Sequence, residues 1–193
     1  MTDGARAESL RALMAADRMR WRLLGAVRAL ALPDCWIGAG FVRNAVWDWL
    51  HGRLAAAPSG DVDVVWFDRD RAHPEADRDL ETALRAAEPG VAWSVKNQAR
   101  MHERNGDPPY ASAADAMRHW PETATAVAVR RTPDDIVEIA SPLGLDDLFS
   151  ARLRPGPRFL AEKRALFRNR VESKAWLETW PMLRVVDDAG AGR

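Results

Sequence analysis

The sequence predicts an α/β (α+β) fold, a small mixed β-sheet flanked by helices. Three observations predict it: short β-branched or aromatic runs recur along the chain, segments with helical apolar spacing alternate with them, and Gly- or Pro-containing loops separate the two kinds. From Glu8 to Ala31 the residues Leu10, Leu13, Met14, Trp21, Leu24, Val27 and Ala31 recur at helical spacing, which predicts a long amphipathic helix broken near Asp17-Arg18. Pro33-Asp34 ends it. Cys35-Trp36-Ile37 then reads as a short buried strand leading into Gly38-Ala39-Gly40. A second helix begins near Phe41, with Val42, Ala45, Val46, Trp49 and Leu50 as its buried stripe and Gly52 as its stop. The stretch Asp61 to Phe67 reads as a strand in the interior of a sheet.

A third helix runs from Asp77 to Ala87 and closes at Pro89-Gly90. The strand that follows, Val91 to Met101, alternates: Trp93, Val95, Asn97, Ala99 and Met101 fall on one face, and Ser94, Lys96, Gln98, Arg100 and His102 continue the other. Ser112 caps a short helix to Arg118. Thr123 to Arg130 and Asp135 to Ala140 form two strands joined by Arg131-Thr132-Pro133-Asp134, and Gly144 to Ser150 is a helical turn. Pro155-Gly156-Pro157 precedes a final helix, Arg158 to about Leu177. There is no internal repeat. The expected division is a helical segment over 1–34 packing on the core, a core over 35–157, a C-terminal helix over 158–181 and a flexible tail over 182–193.

Composition narrows the function classes. A length of 193 residues suits one domain with a small appendage, and 28 basic against 28 acidic residues leave no net charge. A protein that holds a nucleic-acid backbone usually carries a basic excess, so that role would have to be local. The basic run from Arg158 to Lys174 is interspersed with core residues, which leaves a nucleic-acid module the weakest class. No apolar run approaches the roughly 18 residues of a membrane span. The lone Cys35 and four scattered His exclude a disulfide framework and a cysteine-rich zinc site. Met1 to Ala7 does not resemble a secretory signal, and the expected setting is reducing and cytoplasmic. Nine Trp stand against one Tyr. Trp36, Trp49, Trp66 and Trp93 fall on predicted core positions, whereas Trp47 shares the helix side of Arg43 and Asn44 and is expected to line a cleft.

Two motifs rise above this background. Asp61 and Asp63 are two apart in a strand, so their carboxylates share a face, roughly 6.5 to 7 Å apart at Cα. Solvated acids at a strand start are one reading. A cation between two repelling anions is the other, and carboxylate oxygens are what Mg²⁺ selects. The second motif, Ile37-Gly38-Ala39-Gly40, runs from strand into helix, where bare backbone and free N–H groups favour a phosphate. Arg43 lies in that helix's first turn, where the dipole disfavours a cation. A bound phosphate would account for it, and a tight turn with Arg43 solvated is the alternative. A dinucleotide fingerprint fits less well, since the third Gly is missing.

Together, Gly38-Ala39-Gly40-Phe41-Val42-Arg43-Asn44 and Gly60-Asp61-Val62-Asp63-Val64-Val65 resemble the head of the DNA polymerase beta-type nucleotidyltransferase superfamily. The variant they are most similar to is the Gly-Gly-x-Val-Arg and Asp-x-Asp pattern of tRNA nucleotidyltransferases and poly(A) polymerases. The stretches Val95 to His102 and Pro142 to Phe149 are similar to a bacterial family of small nucleotidyltransferase-like proteins, so the resemblance covers about Trp36 to Pro157. It implies the nucleotidyltransferase fold and transfer of a nucleoside monophosphate from an NTP, with Mg²⁺ as cofactor, to an acceptor that is a small molecule, a protein or an RNA end.

Asp61 and Asp63 would be the metal ligands; Gly38, Gly40 and Arg43 would cradle the triphosphate. Such enzymes usually add a third carboxylate from a neighbouring strand. The following strand offers Lys96, Asn97, Gln98 and Arg100 instead, so Glu138 is the candidate, against the alternative of an exposed edge-strand acid. Lys96 is a candidate phosphate or acceptor contact, or part of a solvated face. Asn97 is expected to be a structural link, Asp146 and Asp147 helix-capping acids, and Cys35 a core residue. A catalytically weakened nucleotide-binding relative is the alternative function.

Overall fold

The computed structural model describes residues 1–53, 58 and 60–186. Two helices open the chain, α1 (Asp3–Ala16) and α2 (Arg18–Arg28). The break falls at Asp17, which has extended backbone and accepts a hydrogen bond from Arg20 N at 3.0 Å, so one residue ends α1 and caps α2. Then come β1 (Trp36–Gly38), α3 (Gly40–Leu50), β2 (Val62–Trp66), α4 (Pro74–Ala87) and β3 (Trp93–Asn97). Helix α4 starts three residues before the predicted Asp77, because Pro74 opens its first turn and His73 accepts from Ala76 N at 3.3 Å.

The predicted strand to Met101 stops at Asn97 and turns through a 3-10 segment into α5 (Met101–Asn105). Asn97 causes the stop. Fully buried, it donates from Nδ2 to the carbonyls of Asp68 and Arg71 and accepts at Oδ1 from Ala99 N, which links two loops and caps the turn. The polar face therefore ends at Lys96. Gln98 and Arg100 belong to the turn, where Arg100 pairs with the buried Asp77.

Helix α6 (Ala113–Met117) follows, capped by Ser112, and then β4 (Ala128–Arg131), β5 (Val137–Ala140) and α7 (Asp146–Phe149). Residues Thr123–Thr125, predicted as strand, form a 3-10 turn. The chain closes with β6 (Arg152–Leu153), α8 (Arg164–Ser173), α9 (Trp176–Thr179) and β7 (Arg184–Val185). The single predicted final helix is thus two, split at Ala175, whose φ of +48° turns the chain back. Nor is the segment from 182 a loose tail up to Val186. Leu183 is buried and β7 pairs in parallel with β6; residues 187–193 lie outside the described residues.

The main sheet has the order β3-β2-β1-β4-β5, with β2 and β3 parallel and the other pairs antiparallel. One face carries Ile37, Val62, Val64, Trp66, Trp93, Val95 and Val129, which form one core with Leu10, Met14, Leu23, Leu24 and the apolar side of α3. The other face is smaller: Trp36, Val65, Ala128 and Ala140 pack beneath Ala113 and Met117 of α6. Asp63 lies opposite Gly38, and Gly38 opposite Ala128, so Asp63 belongs to this second face, beyond the end of its apolar patch. Two tryptophans depart from expectation. Trp49 is 43% exposed, edge-on to Phe149, while Trp47, expected at a cleft, is completely buried. Helix α3 is covered on more than one side, so its buried residues also include Phe41, Arg43, Asn44 and Asp48.

Candidate active site

The turn between β1 and α3 is tight for two reasons. A Cβ on Gly38 would stand 3.1 Å from the Trp120 ring, 3.2 Å from Ala128 Cβ and 3.2 Å from the Val127 carbonyl, tight contacts that its neighbours would have to relieve by moving a few tenths of an ångström. Ala39 then takes φ +52° and ψ −124°, a conformation costly for a residue with a Cβ, and is held in it by its N–H donating to Val127 O at 3.0 Å. No side chain caps the helix that begins at Gly40, and Ala39 and Gly40 at its start line the cleft. The cleft has a volume of about 510 Å³ and is walled by Gly40, Arg43, Asp61, Asp63, Arg170 and Trp176 among others.

Asp61 and Asp63 come together here as predicted, with Asp61 exposed one residue before β2 and Asp63 half-buried within it. Burial pushes the Asp63 carboxyl above the ordinary aspartate range; a hydrogen bond from Ser94 opposes this, the neighbouring Asp61 adds to it, and Arg170 and Arg43 oppose it. An anion destabilised by burial and by a second anion is a place where a cation is favourable. Two carboxylates suit a Mg²⁺ ion that keeps its remaining positions for water and phosphate oxygens. Among the described residues no group of three or more acidic, His or Cys side chains stands together to enclose a metal fully.

Arg43 lines the same cleft. Its guanidinium lies 4.9 Å from the Trp47 ring centre and 4.3 Å from that of Trp176, and it donates to Asn44 Oδ1 at 3.0 Å and to Thr125 Oγ1 at 3.0 Å. Burial lowers its pKa to about 10, with Glu122 and Asp63 opposing the shift and Arg170 adding to it. It remains charged at neutral pH. The neutral hydrogen-bond partners leave that charge to act on the cleft.

The wall is completed from the far end of the chain. Trp176 and Trp180 pack edge-on against Trp47 at 5.8 and 5.2 Å, and Trp180 Nε1 donates to Asp48 at 2.8 Å. His51, to which the sequence assigns no role, fixes the segment that follows. Its Nε2 accepts from Met182 N at 3.0 Å, which makes Nδ1 the protonated nitrogen, donating to Trp47 O at 2.7 Å.

The other predicted residues fall differently. Gly40 lines the cleft, but Gly38 does not: its missing side chain accommodates Trp120. Lys96 lines an adjacent groove of about 260 Å³, with its ammonium 3.0 Å from Glu81 and hydrogen-bonded to its own strand at Val95 O. Glu138 is not brought to the pair. It lies on β5, three strand spacings from β2 or roughly 14 Å, and pairs with Arg130 at 2.5 Å. Asp146 and Asp147 sit in the first turn of α7 without capping it; Asp146 pairs with Arg6 and Arg152, and Asp147 accepts from Thr123 and Arg154. Cys35 is a core residue, its thiol pushed up to about 12 by burial.

Sequence reasoning missed Arg170, Lys174 and Trp176 of the C-terminal arm. The one local signal was the i, i+4 spacing of Arg170 and Lys174, which puts two cations on one helix side.

A family model described as nucleotidyltransferase matches residues 25–185. A solved structure described as revealing a CCA-adding enzyme head domain superposes with a TM-score of 0.83 at 32% identity, covering 93% of this chain and 95% of that one. A tRNA-processing enzyme complex gives a TM-score of 0.54 at 16% identity over 85% of this chain. A CCA-adding enzyme in complex with CTP gives 0.53 at 15% over 86%. These two likenesses concern the fold, and the match covers only 43% and 39% of those longer chains. No curated protein matches this chain. Among the described residues no helix is long and apolar enough to cross a membrane.

Proposed function

Because this chain belongs to the nucleotidyltransferase family, we propose that it moves a nucleoside monophosphate from an NTP to an acceptor hydroxyl in a Mg²⁺-dependent reaction. The observation that carries the reading is the convergence of Asp61 and Asp63 with Arg43 and the uncapped start of α3 on one cleft. Asp61 and Asp63 would hold Mg²⁺, which when bound neutralises charge on the phosphates and favours the attacking oxygen. Arg43, locked between two indole rings, presents a fixed positive charge to the triphosphate. The N–H groups at the start of α3 donate to phosphate oxygens, and Gly40 leaves room for them. The acceptor oxygen forms a bond to the α-phosphorus, the bond from that phosphorus to the bridging oxygen breaks, and pyrophosphate leaves with the electron pair while the acceptor's proton passes to solvent. The acceptor is a small molecule, a protein or an RNA end. The reducing, cytoplasmic setting fits the buried Cys35 thiol.

The experiment is pyrophosphate release from each of the four NTPs with Mg²⁺, supplied with total tRNA, a protein extract or a metabolite extract. Release that disappears in Asp61→Asn and Asp63→Asn, and on chelation of the metal, supports the reading. A second reading, nucleotide binding without transfer, draws on one observation: the metal-facing set among the described residues holds two carboxylates, with Glu138 elsewhere. NTP binding without pyrophosphate release under any of these conditions would favour it.

A further inference from the structure

Glu122 is completely buried, and its chemistry is used nowhere in the reaction above. Its Oε1 accepts from Arg170 Nε at 2.8 Å, and its Oε2 has no hydrogen-bond partner among the described residues. Burying a carboxylate is costly unless nearby positive charge compensates. The compensation here is double, since Glu122 acts on Arg43 as well as on Arg170. One buried anion therefore allows two arginines, from α3 and α8, to stand at the same cleft despite repelling each other.

Arg170 is bound to Glu122 through Nε alone; its two Nη groups make no hydrogen bond among the described residues, and its side chain keeps 36% exposure. It shares with Ala39 and Asp63 the boundary between the main cleft and the adjacent groove, and Lys174, one turn further, lines the cleft too. A guanidinium anchored at one nitrogen, with a fork of donors left over beside an acidic pair, matches the bidentate geometry of a phosphate oxyanion.

We propose that Arg170 is a second triphosphate-binding residue, and that Glu122 is a positioning residue that holds it at the cleft. The proposal rests on the cleft being an NTP site, and it makes the C-terminal arm a working part of that site. Arg43 and Arg170, whose guanidinium carbons stand 4.3 and 5.5 Å from the Trp176 ring centre, then present two cations to one triphosphate.

The test measures affinity for inorganic tripolyphosphate without metal, and for Mg²⁺-ATP and Mg²⁺-CTP, by isothermal titration on the full chain. The variants are Arg170→Gln, Arg170→Lys and Glu122→Gln, with thermal melts as the folding control. Arg170→Gln should weaken tripolyphosphate binding at least about tenfold, as loss of a charge-assisted fork does, with Arg170→Lys restoring part of it. Glu122→Gln should weaken binding although it removes a negative charge; tighter binding would mean that Glu122 only repels the ligand, and would overturn its positioning role. If the wild-type protein binds Mg²⁺-NTP and Arg170→Gln binds it equally well, the proposal fails while the NTP site stands. If tripolyphosphate binds in an Arg170-dependent way and no NTP does, the anion grip is supported and the proposed reaction fails. Binding of neither overturns both. Should Glu122→Gln fail to fold, the Arg170 variants decide.

Discussion

The two glycines of the β1–α3 turn should separate stability from ligand binding. A Cβ on Gly38 meets a ring carbon at 3.1 Å, a methyl at 3.2 Å and the Val127 carbonyl at 3.2 Å; that carbonyl cannot retreat without losing the Ala39 N–H bond that fixes the turn. Overpacking of this kind costs about 1–3 kcal/mol, offset by about 0.4–1 kcal/mol because alanine has less unfolded-state freedom. Taken at the middle of each range the net loss is about 1.3 kcal/mol, which for a chain of this size lowers the Tm by roughly 3–5 °C.

At Gly40 the nearest atoms to a new Cβ are Arg43 Nη2 at 3.6 Å and Asn44 Nδ2 at 3.7 Å, ordinary contacts. Gly40→Ala gains part of the roughly 1 kcal/mol that separates Gly from Ala in a helix interior, since Gly40 is the first residue of α3. On the proposed function, however, its methyl stands where phosphate oxygens would meet Arg43 and the helix start. Thermal melts of Gly38→Ala and Gly40→Ala, paired with titrations of Mg²⁺-ATP and Mg²⁺-CTP, check this. Gly38→Ala should lose stability and, well below its Tm, bind as the wild type does; Gly40→Ala should hold or gain stability and lose at least about tenfold in affinity, or about 1.4 kcal/mol. A Gly38→Ala protein as stable as the wild type, or a Gly40→Ala protein that binds nucleotide normally, refutes the assignment of one glycine to packing and the other to the ligand.

Three further outcomes follow from the same geometry. The Asp63 carboxyl is raised in the folded state, so the native protein holds that proton more tightly than the unfolded chain, and the stability linked to it is lost as pH rises through the folded value. Asp63→Asn should therefore melt higher than the wild type at neutral pH without metal, with the difference vanishing below the ordinary aspartate range; a lower neutral-pH Tm contradicts this. Gly156→Ala should be among the most destabilising glycine substitutions, at about 3 kcal/mol or more, because its Cβ would stand 2.3 Å from the Trp120 carbonyl, and a denaturant melt measures it. Cys35, buried and pushed up to about 12, should react with a disulfide reagent at pH 8 at least about a hundredfold more slowly than in the urea-unfolded chain.

Much of the site was legible in the chain because its parts are local. Asp61 and Asp63 share a strand face by the two-residue pleat, and Gly40 and Arg43 share the start of a helix by its turn; both relations hold within a few residues. The antiparallel β1–β2 pairing that joins them is a long-range contact that neither part encodes. Where the reading failed, the cause was a contact from elsewhere in the chain. Asn97 ends β3 because its amide reaches Asp68 and Arg71, and Trp47 is buried because Trp176 and Trp180 close over it.

By itself, then, the sequence determined the mixed α/β class, the acidic pair, the glycine turn and the cation behind it, since period and spacing specify which side chains share a face. Tertiary structure alone decided which acid is near and which is far. The order β3-β2-β1-β4-β5 sets Glu138 three strands away from Asp63, and strand order follows from how helices and strands bury their apolar faces together, which no local spacing encodes. The same packing folds α8 and α9 back over α3, and so brings Arg170 and Trp176, more than a hundred residues beyond the start of α3, to the site that α3 begins to build, where Arg170 meets the buried Glu122.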